Sequence, residues 1–291
     1  MRIAIASGKG GTGKTTIAVN LAALLAESED SAVTYADCDV EEPNGHIFLA
    51  PRIDTSEAVT IPVPVIDEDL CTVCGACSSF CQYKAIATLP DRVMIFDELC
   101  HGCGGCKLIC GEDAIREEPR EVGTVETGSS VIAEGGATVE FVQGRLRVKE
   151  IQAVPVIKAV KKRLPGQGIS ILDAPPGTSC PMVEAVRGSD LVLLVTEPTP
   201  FGLHDLEIAV ETVKQLGMKA AVVVNRSDIG DDRVRRYCDR VKLEIIAEVP
   251  NSREIAEAYS RGKLLTGRID SFTTQIQGMI PTIFELAASP R

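Results

Sequence analysis

Apolar residues along this chain alternate between two textures. Short, nearly unbroken apolar runs recur at residues 3–6, 32–36, 169–173, 191–196, 220–225 and 244–249. They are too brief for helices and read as strands buried on both faces of a parallel sheet. Between them the spacing opens to three and four. Ile17, Leu21, Leu24 and Leu25 predict a helix over 15–26, and similar patterns predict helices over 154–164, 203–216, 233–241 and 271–288, the last containing Pro281. Strand and helix in alternation predict an α/β fold with a doubly wound, mostly parallel sheet. One stretch breaks the rhythm. From residue 61, after which come Pro62 and Pro64, to about 120 the chain is rich in cysteine, and 121–148 then reads as short strands at 137–142 and 146–148 that return it to the main domain. The predicted organisation is therefore an α/β domain formed by 1–60 and 121–291, with a small α+β insert at 61–120.

Residues 7–16 read Ser-Gly-Lys-Gly-Gly-Thr-Gly-Lys-Thr-Thr and join the first strand to the first helix. Gly8, Gly13, Lys14 and Thr15 satisfy G-x-x-x-x-G-K-S/T in the strand–loop–helix context that gives the pattern meaning. Gly8, Gly10, Gly11 and Gly13 let backbone N–H groups turn inward around an anion. Lys14 meets the β- and γ-phosphates of a nucleotide and the Thr15 hydroxyl can ligate Mg²⁺. Thr12 and Thr16 complete the loop, and the helix N-terminus favours the same negative charge.

A second lysine narrows the class. With Lys9 the loop resembles the deviant Walker A motif of the MinD/ParA family of ATPases, in which the extra lysine reaches the nucleotide of the opposite subunit. The resemblance implies ATP and Mg²⁺ as ligands, ATP hydrolysis, and an ATP-dependent homodimer or a dimer with a paralogous ATPase. Other stretches carry it further. Asp39, in Asp37-Cys38-Asp39 at a strand end, resembles the switch acid that orients the attacking water or a metal-bound water, and Pro43 and Asn44 resemble the switch segment after it. Asp173-Ala-Pro-Pro-Gly-Thr is similar to the Walker B and second switch segment, which implies that Asp173 holds a Mg²⁺-bound water and that the Gly177 amide senses the γ-phosphate. Glu197-Pro-Thr-Pro-Phe-Gly and Val223-Val-Asn-Arg are also similar, making Asn225, beside Arg226, the adenine-reading residue. Residue by residue, a solvated loop acid at Asp39 and a strand-end turn at Asn225 remain the alternatives.

The insert holds an internal repeat. Cys71, Cys74, Cys77 and Cys81 are spaced two, two and three residues apart, and Cys100, Cys103, Cys106 and Cys110 repeat that spacing. Each run resembles the bacterial ferredoxin pattern for 4Fe–4S clusters, in which the fourth thiolate ligates the other cluster. That resemblance assigns Cys71, Cys74, Cys77 and Cys110 to one cluster and Cys100, Cys103, Cys106 and Cys81 to a second. Zinc is the competing metal, but structural zinc sites use separated C-x-x-C pairs around one ion. Ala85-Ile86 and Ala114-Ile115 extend the repeat and supply an isoleucine to shield each cluster. Ferredoxins place proline after the fourth cysteine, whereas Gln82 and Gly111 stand here. That departure leaves the hydrogen bonds to sulfur open. Residues 87–89 and 93–96 around Pro90-Asp91 predict a hairpin, and His101 an exposed neighbour of a ligand. Cys38, Cys180 and Cys238 remain. Cys180 is expected as a small buried thiol, with a ligand to a cluster shared between subunits, as in the nitrogenase iron protein, as the alternative.

Composition excludes some partners. A net charge of −11 argues against nucleic acid and anionic membrane, and the last helix lacks a lysine-rich amphipathic face. A first strand starting at Arg2 leaves no room for a signal peptide, no apolar run approaches the roughly 20 residues of a spanning helix, and eleven cysteines then point to metal in a reducing, cytoplasmic setting. The leading expectation is an ATPase whose nucleotide state gates electron transfer to a redox protein. One rival is a carrier or assembly factor for iron–sulfur clusters, which would need a spare C-x-x-C outside the repeat. The other is a positioning ATPase of the ParA/MinD type with structural or sensory clusters.

Overall fold

In the computed structural model, which describes residues 1–28, 32–132 and 136–289, the chain runs β1 (Arg2–Ala6), α1 (Lys14–Ser28), β2 (Val33–Asp37), α2 (Gly45–Leu49), β3 (Arg52–Ile66), α3 (Ala76–Phe80), β4 (Ile86–Thr88), β5 (Val93–Ile95), α4 (Gly105–Ile109), β6 (Ile115–Val131) and β7 (Thr138–Leu146). It continues through α5 (Ala153–Lys162), β8 (Ile169–Asp173), α6 (Cys180–Val186), β9 (Leu191–Thr196), α7 (Pro200–Gln215), β10 (Ala220–Asn225), α8 (Arg233–Val241), β11 (Ile245–Val249), α9 (Arg253–Ser260) and α10 (Asp270–Ala288). The chain divides into two units. The larger takes Met1–Ser56, Val125–Arg145 and everything from Ile157 onward, and the smaller takes Glu57–Thr124 and Leu146–Val156. Among the described residues no helix is long and apolar enough to cross a membrane.

The sheet of the larger unit has the order β11-β10-β9-β1-β8-β2-β7, followed by β6 and β3. β1 lies between β8 and β9, and all pairings from β11 to β7 are parallel. β1, β2, β8 and β9 are almost wholly buried, as continuous apolar runs require. α1 buries eleven of its fifteen residues. Three of them are polar, Lys14 and Thr16 at the phosphate loop and Asn20 deeper in the helix; the Asn20 amide accepts from Leu265 N and Thr266 N and donates to Thr16 O, so its own buried polar atoms are paired. α10 presents Phe272, Ile276, Met279 and Ile283, none more than 1% exposed, to the same core. This is the docking face its pattern predicted, and Pro281 sits on the exposed side, where the Gln277 carbonyl that loses its in-helix donor can turn to water.

Two elements depart from expectation. β3 begins at Arg52, ahead of the expected change of texture, and its first seven residues are all exposed. Without a buried face that first half carries no apolar alternation to read, while Ile61 and Val63 further along are buried. Being at the sheet edge, it also tolerates Pro62 and Pro64, which cannot donate to a ladder. β6 and β7 are 17 and 9 residues long, in place of the short strands expected over 121–148, of which 133–135 lie outside the described residues.

The smaller unit repeats one plan twice. Each cysteine triplet runs into a five-residue helix, α3 or α4, and then into a strand, β4 or β6. α3 and α4 approach so closely that a Cβ on Gly105 would lie 2.3 Å from the Phe80 ring. β4 and β5 pair antiparallel, Ile86 opposite Ile95, as the expected hairpin. Cys77, Ile86 and Ile115 are buried together, with Ile66, Val93, Ile95 and Cys81, Cys106 and Cys110 packed around them.

Candidate functional site

Seven residues, 7–13, connect β1 to α1. At Gly13 the backbone is left-handed, φ +96°, and a Cβ would stand 2.4 Å from Asn225 Nδ2; a Cβ on Gly8 would stand 2.2 Å from the Asp205 carbonyl oxygen. Only glycine fits these two positions. Gly10, by contrast, has open space around it. The loop borders a cavity of about 430 Å³ formed by Gly10, Gly11, Gly13, Lys14, Thr15 and Thr16, by Asp39, Glu42, Asn44 and Pro176, and by Asn225, Arg226 and the segment 250–259 with Tyr259. Asn225 Nδ2 donates to Thr12 O at 2.8 Å, so the end of β10 is tied to the loop. Sequence reasoning missed Asn251, Ser252 and Tyr259. They follow β11 and no local motif marks them.

Register assembles the acids. Asp37 of β2 and Ile5 of β1 are both partners of Asp173 on β8, so the two carboxylates emerge in one row at the C-terminal ends of adjacent strands, where ligands bind in such sheets. Both are fully buried. Burial, and for Asp37 the charge of Asp173, pushes Asp37 well above the usual carboxylate range. Burial also raises Asp173, opposed by Lys14 and by hydrogen bonds from Thr15 and Tyr35. Asp173 Oδ1 is buried with no hydrogen-bond partner. Such an orphaned oxygen beside Thr15 and Lys14 suits a hydrated divalent cation. Asp39 lines the cavity, and burial raises it to about 6 against the opposing charge of Lys14.

The remaining expected residues are not among those that line the cavity. Lys9 Nζ lies 3.3 Å from Glu197 Oε2, and Arg226 Nη1 bonds Glu197 Oε1. Lys9 is thus held within its own chain by a carboxylate side chain only 8% exposed. The Gly177 amide, expected to face the γ-phosphate, donates to Ser7 O at 3.0 Å. Gly8, Thr12 and Asp173 also lie outside the lining.

In the smaller unit Cys71, Cys74, Cys77 and Cys110 line one recess together with Ile66, Val93 and Ile115. Three of these thiols come from the first run and one from the second. Among the described residues no group of three or more His, Cys, Asp or Glu side chains converges on a point suited to one ion. In a cubane each thiolate binds a different iron, so its four sulfurs surround a space and do not converge; an apolar recess ringed by four thiols fits that group better than it fits zinc. Burial raises the Cys77, Cys100 and Cys106 thiols. The Cys100 carbonyl accepts from Gln152 Nε2 at 2.6 Å, and His101, exposed as expected, stacks on Tyr83 at 3.7 Å. Cys38 and Cys238 are buried, but Cys180 is exposed. That corrects the expected small buried thiol: Cys180 begins α6, and the buried face of that short helix is supplied by Met182, Ala185 and Val186.

The model of the CobQ/CobB/MinD/ParA nucleotide binding domain matches residues 3–265. An uncharacterized protein of Methanocaldococcus jannaschii, MJ0578, is 34% identical over 235 residues, covering 79% of this chain and 80% of the relative. A second from the same organism, MJ0579, is 28% identical over 274 residues, 90% of each. Among solved structures, the septum site-determining protein MinD complexed with Mg-ADP from Pyrococcus horikoshii aligns with a TM-score of 0.60 at 18% identity, over 99% of this chain and 97% of that one. A plasmid partition protein from Borrelia burgdorferi bound to AMPPNP aligns with a TM-score of 0.55 at 12% identity, over 98% of each. At such identities the likeness is one of fold.

Proposed function

The chain belongs to the CobQ/CobB/MinD/ParA nucleotide-binding family, and from that premise we propose that it is a Mg²⁺-dependent ATPase that carries two 4Fe–4S clusters and uses its nucleotide state to gate electron transfer to a redox protein. The observation that carries the redox half is the recess ringed by Cys71, Cys74, Cys77 and Cys110, because it draws its fourth thiol from the other cysteine run as a two-cluster ferredoxin does. Cys100, Cys103, Cys106 and Cys81 would hold the second cluster. The clusters would supply one-electron transfer, and Mg²⁺ would screen phosphate charge.

The chain's own residues do the rest. Backbone N–H groups of the 8–13 loop and the Lys14 ammonium bind the phosphates, and charge there is worth more because Lys14 is nearly buried. Thr15 and Asp173 would hold the hydrated Mg²⁺. Asp39 accepts or orients the proton of the attacking water at its carboxylate. Asn225 reads the base, with Arg226 beside it. Lys9 would leave Glu197 to reach a partner's nucleotide in an ATP-dependent dimer, which makes dimerisation and hydrolysis one event.

The test is anaerobic purification with iron and sulfide counting, then potentials with and without nucleotide. About eight iron and eight sulfide per chain are expected. Cys110→Ser should remove the cluster held by the first triplet and spare the second. Metal content below one cluster per chain, or potentials that ignore nucleotide, would overturn the redox half and leave the ATPase.

A further inference from the structure

We propose that the Tyr35 hydroxyl is a positioning group that couples occupancy of the Asp173 side of the site to the segment 39–45, which carries Asp39; the proposal rests on the nucleotide reading above. Tyr35, Asp37 and Asp173 are all fully buried. The hydroxyl lies 3.1 Å from Asp173 Oδ2 and 3.4 Å from Asp37 Oδ2. A phenol has one proton to donate, so it serves one carboxylate at a time. Here the shorter distance is to Asp173.

Asp37 in turn brackets the segment. Its Oδ1 accepts from Asp39 N at 3.1 Å and its Oδ2 accepts from Gly45 N at 2.9 Å. The Tyr35 ring also presses directly on the far end, since a Cβ on Gly45 would lie 2.3 Å from its Cε1 and 2.4 Å from its hydroxyl. One side chain therefore touches the acid expected at the cation, the acid that clamps the segment, and the segment itself.

Positive charge arriving at Asp173, whose Oδ1 is still unpaired, makes that carboxylate the poorer acceptor. The hydroxyl proton then turns to Asp37, which is held by three donors in place of two, and its grip on the Asp39 and Gly45 amides is fixed in place. The segment is best ordered only when the phosphate side is occupied, so Asp39 is set for the attacking water at the right moment.

Tyr35→Phe is the direct test, because the ring keeps its stack on Phe141, centroids 5.8 Å apart, while the proton is lost. Amide hydrogen exchange at Asp39 and Gly45 is measured with and without Mg-AMPPNP, alongside nucleotide affinity and turnover. In the wild type the nucleotide should slow exchange at both amides about tenfold, the worth of one net hydrogen bond. In Tyr35→Phe the slowing should vanish and turnover should fall about tenfold, with affinity held within about threefold. If the two buried carboxylates without the hydroxyl prevent folding, Asp173→Asn with Tyr35 kept makes the competing acceptor poorer, so exchange at Asp39 and Gly45 should already be slow without nucleotide, and exchange left at the wild-type rate overturns the coupling. Slowing that survives the loss of the hydroxyl overturns the coupling and leaves the ATPase reading intact. A wild type that shows no response and no nucleotide binding overturns both.

Discussion

Glu197→Gln separates a structural ion pair from a restraint on Lys9. The carboxylate side chain is 8% exposed, whereas Lys9 is 33% and Arg226 45% exposed. Removing one partner of a fully buried pair costs about 3–5 kcal/mol because a charge is stranded. Neither cation is stranded here, since each can turn to water, so each contact is worth about 0.5–1 kcal/mol and the fold should lose no more than about 2 kcal/mol. Glutamine keeps the shape and one acceptor, which reduces the loss further. The consequence for association is larger. If every subunit must release Lys9 to reach its partner's nucleotide, a two-fold dimer breaks two such contacts, and freeing both lowers the dimer free energy by about 1–2 kcal/mol, or roughly 5- to 30-fold in dimer Kd. The assay is light scattering across a protein titration at saturating ATP, paired with a urea melt. Glu197→Gln should dimerise at lower concentration with little change in melt midpoint, and Lys9→Ala added to it should abolish the gain. An unchanged dimer Kd, or a loss of stability above about 3 kcal/mol, refutes the restraint and makes the pair structural.

Gly13→Ala should fold less stably and bind nucleotide poorly, because a left-handed φ in a residue with a Cβ costs about 1–3 kcal/mol and the new atom displaces the Asn225 amide from Thr12; Asn225→Ala in the same chain should recover stability only in part, as read by urea melts. Asp39, held at about 6 by burial, should give kcat/KM an acid limb that falls tenfold per pH unit below about 6 and is absent from the residual activity of Asp39→Asn. Since folding raises this pKa, the stability linked to the group is complete below its unfolded value near 3.9 and is lost as pH rises through about 6. Asp39→Asn should therefore stabilise the fold at pH 8 and do so much less at pH 4.

Much of the larger unit was legible because the information is local. Strands buried on both faces must be apolar throughout, a docking helix must repeat its apolar residues at helical spacing, and the loop at 8–15 needs glycine where a backbone turns left-handed or the carbonyl of Asp205 in α7 comes near. The cysteine repeat was legible for the same reason, since its spacing is a property of a few consecutive residues. What the sequence by itself could not determine was decided by register and approach between distant segments. The first half of β3 escaped because an exposed edge has no apolar face to write into the sequence. Cys180 stands exposed because its helix turns other residues inward, and the Gly177 amide is taken by Ser7 across two strand ends. Lys9 meets Glu197 and Tyr35 meets Asp173 across 188 and 138 positions of chain. No local pattern encodes such a pairing: it exists only once packing of the whole sheet has fixed how β1, β2, β8 and β9 stand beside one another.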